Sequence, residues 1–572
     1  MVNPSSGVPV YNGSLDLPIL DMAPRACGVK APAPSLLAYL LEDQQQLTAV
    51  EQFAIDHART ATPVQARYYE SLLPATPPGL GQQYAFEVDL DRCSGCKACV
   101  TACHTLNGLD DDETWRDVGL LVGGTAANPL MQHVTTACHH CLEPACMSGC
   151  PVDAYVKDPV TGIVKHLDDQ CIGCQYCTLA CPYEVPKYHA GKGIVRKCDM
   201  CSNRLAVGEA PACVQACPHQ AIAIRIVDIA QVIEDCEVGQ FLPAAPDPHL
   251  THPTTHYKSS SAFPRNTLPA DYHQTAPQHP HWPLILMLVL TQLSVGAFTA
   301  GQIASQYLGA EQLASLLPIH AGIALTLGLL ALVASTFHLG RPLYAFRAVV
   351  GLRHSWLSRE IVAFGVFAKT AVLYAGLVMF RSSLPAWLVP LTPYVGWTVV
   401  VTGLIGVFCS VMIYAVTRRE FWRFDRTFNR FSLSTILLGT TTFWMAVAWS
   451  GGNEGRTLQL SVILAQVVVG VALFKLLSEA VLYRYLLSPH VTTLARSARL
   501  HVGPLARIAL GRNLFGIVGG IVLPWIAWTQ EGTSSPLLVT TALVLLLTGE
   551  LLERYLYFAA VASPRMPGAV RS

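Results

Sequence analysis

The 572-residue sequence predicts a small α+β domain tied together by metal-binding loops, followed by an all-α polytopic membrane domain. Two observations carry that expectation. Sixteen of the nineteen cysteines fall in four compact groups between Cys93 and Cys217. Near residue 283 the composition turns apolar, and from there eight runs are long enough to cross a bilayer, which takes about 20 apolar residues. Over the whole chain 52% of residues are hydrophobic and only 13% charged, a membrane-like balance.

The first cysteine group is CSGCKACVTAC, with Cys93, Cys96, Cys99 and Cys103. The second is CHHCLEPACMSGCP, with Cys138, Cys141, Cys146 and Cys150. The third is CIGCQYCTLACP, with Cys171, Cys174, Cys177 and Cys181. The fourth holds Cys198, Cys201, Cys213 and Cys217. Groups one and three follow the bacterial ferredoxin run C-x2-C-x2-C-x3-C, whose fourth cysteine serves the other cluster of a pair. Sixteen thiolates suit four cubane clusters, and a chain of clusters conducts electrons. Structural zinc also uses C-x2-C pairs, but it has no use for a third cysteine one turn on, nor for Pro151, Pro182 and Pro218 after the fourth. A disulfide scaffold needs an oxidising compartment. The opening MVNPSSGVPVYNGS has neither a basic stretch nor an apolar run, so no secretory signal is expected. Cys27, Cys236 and Cys409 lie outside the groups and read as ordinary thiols.

The runs FEVDL (86–90), GIVKHL (162–167) and AIAIRIV (221–227) read as short hairpin strands of ferredoxin modules. Few large apolar residues accompany the cysteines, so the clusters themselves must tie this domain together. The expected layout is an N-terminal extension (1–83) with one helix over 35–58 capped by Ser35, then a ferredoxin-like domain (84–239). A Pro-, His-, Ser- and Thr-rich linker (240–282), a membrane anchor (283–562) and a tail (563–572) follow. The helix is read as a docking element for a partner or as packed on its own domain. The linker histidines His249, His252, His256, His273, His279 and His281 are scattered and read as no metal site. A net charge of zero without a basic stripe points away from nucleic acid.

The iron–sulfur half resembles the electron-transfer subunit of the dimethyl-sulfoxide-reductase family of molybdoenzymes over about residues 84–230. The likeness rests on the four groups in order and on the CIGCQYC-x3-CPY and KCDMC-x11-C-x3-CP phrases. It implies a double-ferredoxin-like fold in which group one pairs with four and two with three. The implied sets are Cys93/Cys96/Cys99/Cys217, Cys198/Cys201/Cys213/Cys103, Cys138/Cys141/Cys146/Cys181 and Cys171/Cys174/Cys177/Cys150. Cys174 is intact, so four [4Fe–4S] clusters are expected. Cys103 departs from the pattern in being followed by His104 instead of proline.

The expected spans lie near 283–303, 314–337, 361–380, 394–416, 432–450, 459–482, 513–530 and 536–558, with Arg512 and Pro524 crowding the seventh. An even number of spans returns the chain to its starting side. All arginines of this half except Arg381 and Arg456 are assigned to that side. Basic loops stay in the cytoplasm. A multi-pass protein of the cell inner (cytoplasmic) membrane follows, with iron–sulfur domain and both termini cytoplasmic. Lys369, Lys475, Glu479 and Glu550 fall within spans, where ionisable groups are costly. Lys475 and Glu479, four apart, either neutralise each other or serve a site.

This half resembles the same family's quinol-oxidising anchor, on STFHLGRPLYAFRA (335–348) and SWLSREI (355–361). The resemblance implies a menaquinol site at His338, with Arg341 and Glu360 as neighbours. Imidazole accepts a proton near neutral pH, as quinol oxidation requires. His320, at the opposite end of that span, reads as structural. No haem is expected, because His320 and His338 lie on one span. The expected function is an electron-transfer and anchor subunit that oxidises quinol from the membrane pool in an electroneutral step and feeds a separate molybdopterin-containing catalytic subunit, for nitrate, dimethyl sulfoxide or a similar substrate. By itself the chain would leave the terminal substrate unreduced. Two alternatives are reverse flow from a dehydrogenase partner into quinone, and a membrane-tethered polyferredoxin without a quinol site.

Overall fold

The computed structural model describes residues 35–46, 48–59, 65–111, 113–450, 456–529 and 535–568. The expected extended segment 1–34, Cys27 and Arg571 lie outside the described residues. The chain divides into two compact units, residues 1–65 and 66–572.

In the first unit the single helix expected over 35–58 is two helices, Leu36–Gln45 and Ala49–Arg59. Ser35 caps the first, accepting from the Ala38 N–H at 3.2 Å. The break comes from a second cap. Thr48 accepts from the Glu51 N–H (3.2 Å), while the Glu51 carboxylate accepts from the Thr48 N–H (2.8 Å). That reciprocal capping box, T-x-x-E, starts a new helix wherever it stands.

The second unit opens with residues 66–83, which belong to the iron–sulfur domain and not to an extension: Tyr69 and Leu72 are buried in its core. Two three-stranded sheets follow. In one, β1 (Gln82–Asp89) pairs antiparallel with β8 (Ile222–Asp228) from Gln82↔Asp228 to Val88↔Ile222, and parallel with β9 (His256–Lys258). In the other, the hairpin β2 (Asp117–Thr125) and β3 (Asn128–Thr136) is joined by β10 (Leu268–Pro269). Two small hairpins complete the domain, β4 (Tyr155–Lys157) with β5 (Val164–His166), and β6 (Lys187–His189) with β7 (Ile194–Arg196). The linker expected at 240–282 therefore supplies a strand to each sheet. The tail expected at 563–572 also returns to the domain: Arg565 pairs with Asp271 at 2.6 Å, and the Gly568 carbonyl accepts from the Leu120 N–H.

Eight helices are long and apolar enough to cross a membrane among the described residues. They are Trp282–Ala304, Glu311–Thr336, Trp356–Met379, Val389–Ala415, Phe424–Trp449, Arg456–Leu487, Ala506–Thr529 and Pro536–Ala559, here called spans one to eight. The crowded seventh span carries a π-helical turn at Val518–Val522, just before Pro524. Proline has no N–H to give the preceding turn, and a wider turn absorbs the lost bond.

Candidate electron-transfer site

The cysteine loops share a backbone design. Gly95 and Lys97 in group one have positive φ, as do Gly173 and Gln175 at the matching places of group three. Asp153, Glu184 and Gln220, each three residues after a Cys-Pro cysteine, also have positive φ. Such turns curl the chain so that cysteine side chains point inward. Group one lacks the proline, and its helix runs on through Cys103 to Asn107.

Of the four sets that the resemblance implies, two line cavities and the members of the other two lie near one another. Cys93, Cys96, Cys99 and Cys217 line one cavity, and Cys138, Cys141, Cys146 and Cys181 line another. Cys103, Cys198, Cys201 and Cys213 lie within electrostatic reach of one another, as do Cys150, Cys171, Cys174 and Cys177. Among the described residues no three His, Cys, Asp or Glu side chains converge closely enough for a single metal ion. Sulfurs standing apart around a cavity fit a cluster better than one zinc. Backbone N–H groups also point at sulfur: Ala154 at Cys150 (3.3 Å), Gly173 at Cys171 (3.4 Å), Met200 at Cys198 (3.4 Å) and Ala221 at Cys217 (3.2 Å). Donors of this kind stabilise bound thiolates.

The four sets run in a row. Cys177 is near Cys146, Cys138 is near Cys198, and Arg116 faces both Cys99 and Cys213. At one end Cys96 is exposed. At the other end the set of Cys150, Cys171, Cys174 and Cys177 sits on the membrane domain. The Arg341 and Gly340 N–H groups donate to the carbonyls of Ile172 (3.0 Å) and Gly173 (3.3 Å). His338 donates from Nε2 to the Cys174 carbonyl at 3.2 Å. His354 donates to the Cys150 carbonyl at 3.0 Å, and Ser355 to the Gly149 carbonyl at 2.8 Å. Tyr176, between two cysteines of the set, donates to the Ile413 carbonyl of span four at 2.8 Å.

Glycine makes this contact close. A Cβ at Gly340 would strike the Gly193 carbonyl, and Gly173 and Gly193 both hold positive φ. Gly340→Ala is expected to push the loop carrying His338 off the iron–sulfur domain, at a cost of about 1–3 kcal/mol. Iron content should be retained, while the loop becomes more open to protease. Iron analysis and limited proteolysis on one sample check both.

A carbonyl only accepts, so Nε2 of His338 carries the hydrogen and Nδ1 is left with its lone pair. Burial lowers the His338 pKa, the Cys174 carbonyl partly opposes this, and His279 lowers it further. His281 lies edge-on to His338, with ring centroids 5.3 Å apart. Its pKa falls to about 4 through burial, then through His338 and His279. His281 thus belongs to this region, although the linker histidines read as scattered; its place directly before span one was the available signal. Glu360 is buried in span three, where Ser410 of span four donates to it. Arg341 reaches across to the iron–sulfur domain. It donates to the Asp168 carbonyl (2.8 Å) and the Lys192 carbonyl (3.3 Å), tying the two domains together.

Other loop arginines also reach the iron–sulfur domain. Arg347 and Arg419 donate to the Asp169 and Leu179 carbonyls. Arg430, Arg512 and Arg554 are not loop residues at all but are buried within spans five, seven and eight. They join Lys475, Glu479, Glu550 and Glu553 in one network. Lys475 meets Glu479 at 3.3 Å and Glu550 at 3.2 Å, and Arg512 meets the same two carboxylates at 3.2 and 3.1 Å. Arg430 and Arg554 flank Glu553 at 3.7 and 3.4 Å. Lys475 and Glu479 therefore form part of a seven-member cluster and not an isolated pair. Lys369 is exposed on span three. His320 is buried against Phe298 and Phe443.

Fold and site together define an iron–sulfur electron-transfer protein built in one chain with its membrane anchor. Comparison with known proteins agrees. Residues 130–226 match the model of the 4Fe-4S dicluster domain, and residues 277–560 that of the DMSO reductase anchor subunit (DmsC). The B subunit of the anaerobic dimethyl sulfoxide reductase of Haemophilus influenzae is 37% identical over 156 residues, covering 26% of this chain and 76% of the relative. Its Escherichia coli K12 counterpart is 36% identical over 181 residues, covering 30% and 86%. The hydrogenase-2 operon protein HybA of Escherichia coli O157:H7 is 37% identical over 175 residues, covering 26% and 52%. The chain belongs to the family of dimethyl sulfoxide reductase iron–sulfur subunits, here fused to the family's anchor.

Proposed function

We propose that this chain oxidises menaquinol or a related quinol beside His338 and passes the electrons through four [4Fe–4S] clusters to a separate molybdopterin-containing subunit. The observation that carries this reading is the hydrogen bond from His338 to the Cys174 carbonyl. It sets a proton acceptor, the free Nδ1, next to a ligand of the cluster set nearest the membrane. Oxidation of one quinol releases two electrons and two protons. His338 takes a quinol hydroxyl proton, and Glu360, buried two residues beyond Ser358, is the carboxylate on the other flank of the same set. The electrons leave singly along the row, ending at the set that includes the exposed Cys96. Each [4Fe–4S] cluster supplies one-electron storage, held by the four cysteines of its set.

The iron–sulfur domain, the C-terminal tail and the proton-releasing site are all on one side of the spans, which supports an electroneutral step. The cytoplasmic assignment of that side rests on the arginines that remain exposed there, Arg353, Arg418, Arg423, Arg484, Arg499 and Arg507, against Arg381 and Arg456 opposite. Reverse flow, from a dehydrogenase partner into quinone, is the second reading, favoured by the likeness to a hydrogenase-operon protein.

Purification of the chain from its native membranes, with metal analysis, tests the proposal. The expected result is a large molybdenum-containing partner and about sixteen irons per chain, four for each cubane. A hydrogenase or other dehydrogenase partner in its place would select reverse flow. Iron removal by chelation is expected to unfold the cysteine-bearing domain while the spans stay helical, because the apolar core there is small. Loss of protease resistance in residues 66–281, with helical circular dichroism retained, checks it.

A further inference from the structure

Two cations are buried among the cysteine sets, and electron carriage alone does not call for them. Arg116, next to β2, is 2% exposed, and Lys197, next to Cys198, is 3% exposed. Arg116 donates to Thr135 Oγ1 at 3.1 Å, and that hydroxyl is 3.6 Å from Cys99 Sγ. Its guanidinium lies over the Phe86 ring at 4.6 Å, and Nη2 has no hydrogen-bond partner. It faces Cys99 of one set and Cys103, Cys198 and Cys213 of the next. Lys197 donates to the carbonyls of Val164 (2.5 Å) and Cys198 (2.7 Å), and its Nζ is 3.6 Å from Cys138 Sγ. It faces Cys138 and Cys146 of one set and Cys198 of its neighbour.

Each cation thus stands at a junction between consecutive sets. The third junction, between the Cys146 and Cys177 sets, is filled instead by the neutral Tyr155. The nearby carboxylates are engaged elsewhere. Glu113 pairs with Arg196 at 2.8 Å, and Asp168 pairs with His166 at 2.8 Å, beside Cys171. A buried positive charge without a carboxylate partner is costly to hold unless something negative faces it. Here the thiolate-bound clusters are that negative charge.

We propose that Arg116 and Lys197 are potential-setting residues that hold up the reduction potentials of the three sets they face. Adding an electron to a cluster adds one negative charge, and a fixed cation a few ångströms away in a water-poor interior stabilises the reduced form. The inference rests on the four-cluster reading above.

The test is anaerobic redox titration of the full holoprotein, followed by electron paramagnetic resonance, with signals assigned by single Cys→Ser ligand variants. Iron and sulfide content of the unaltered protein decides the cluster count separately. Arg116→Met and Lys197→Met should each make the flanking clusters at least about tenfold less reduced at a fixed potential, a downward shift of about 59 mV per tenfold for one electron. Lys197→Arg and Arg116→Lys should restore most of the shift, and the Cys174 cluster should not move. If a methionine variant loses iron, the glutamine variant, which keeps hydrogen-bonding reach without charge, carries the same expectation. Full iron with unmoved potentials in the neutral variants would overturn the proposal. Equal shifts in neutral and charge-preserving variants would also overturn it, since shape and not charge would then be responsible.

Discussion

Replacing His338 by leucine is expected to slow quinol-driven reduction of the iron–sulfur centres by about 10²–10⁴-fold, the usual worth of a positioned proton acceptor. Leucine keeps the bulk of the side chain but removes both the donor to Cys174 and the lone pair at Nδ1. Dithionite, which needs no proton acceptor, should reduce the centres of the variant as fully as those of the unaltered chain. The two reductants on one sample separate loss of quinol oxidation from loss of the centres themselves. If the loop had merely come loose, a side chain that keeps the donor to the Cys174 carbonyl would restore the quinol rate. Glutamine at the same place keeps a donor for the Cys174 carbonyl but is a poor base. It should hold the loop and still lose most of the rate.

Lys475→Met is expected to destabilise the membrane domain by about 3–5 kcal/mol, because it strips the buried Glu550 and its neighbour Glu479 of a shared ion-pair partner. Lys475 and Glu550 are both fully buried, and Lys475 also donates to Ser434 Oγ at 2.9 Å and to the Arg430 carbonyl at 3.1 Å. The network holds four cations (Arg430, Lys475, Arg512, Arg554) against three carboxylates (Glu479, Glu550, Glu553). Losing Lys475 leaves three of each, yet Glu550 then keeps only Arg512 as an ion-pair partner. The double variant Lys475→Met/Glu550→Gln should recover much of the loss, since it removes both ends of the pair. Thermal melting of the detergent-solubilised protein, with and without the second change, measures this. Equal melting of Lys475→Met and the unaltered chain would mean that water, and not the carboxylates, satisfies the ammonium.

Much of this architecture was legible in the residues because the chemistry demands fixed spacings. Cysteines must be spaced to wrap a cubane, and spans must be long enough to cross a bilayer, so four groups and eight helices could be read directly. The strands at 86–90 and 221–227 are found as the two partners β1 and β8. What stayed hidden depends on contacts distant in sequence. Nothing local says that residues 256–258 and 268–269 join the two sheets, because two- and three-residue strands are specified by their partners. Arg341 and Arg430 look alike as arginines near span ends. One bonds backbone across the domain interface, and the other is buried against Glu553. The split at Thr48 was readable, since T-x-x-E is a local signal, but the apolar spacing across it suggested one continuous helix. Arg116 and Lys197 could not be singled out, because their importance comes from folding, which brings two cysteine sets together around each.

The most direct test of the central claim is to add a menaquinol analogue, anaerobically, to membranes holding the full chain and to follow the iron–sulfur signal. Reduction by quinol, beginning at the centre that Cys174 ligates, is the predicted result. Centres that stay oxidised with quinol but are reduced by dithionite would contradict it, and would leave the chain a membrane-held carrier whose electrons enter elsewhere.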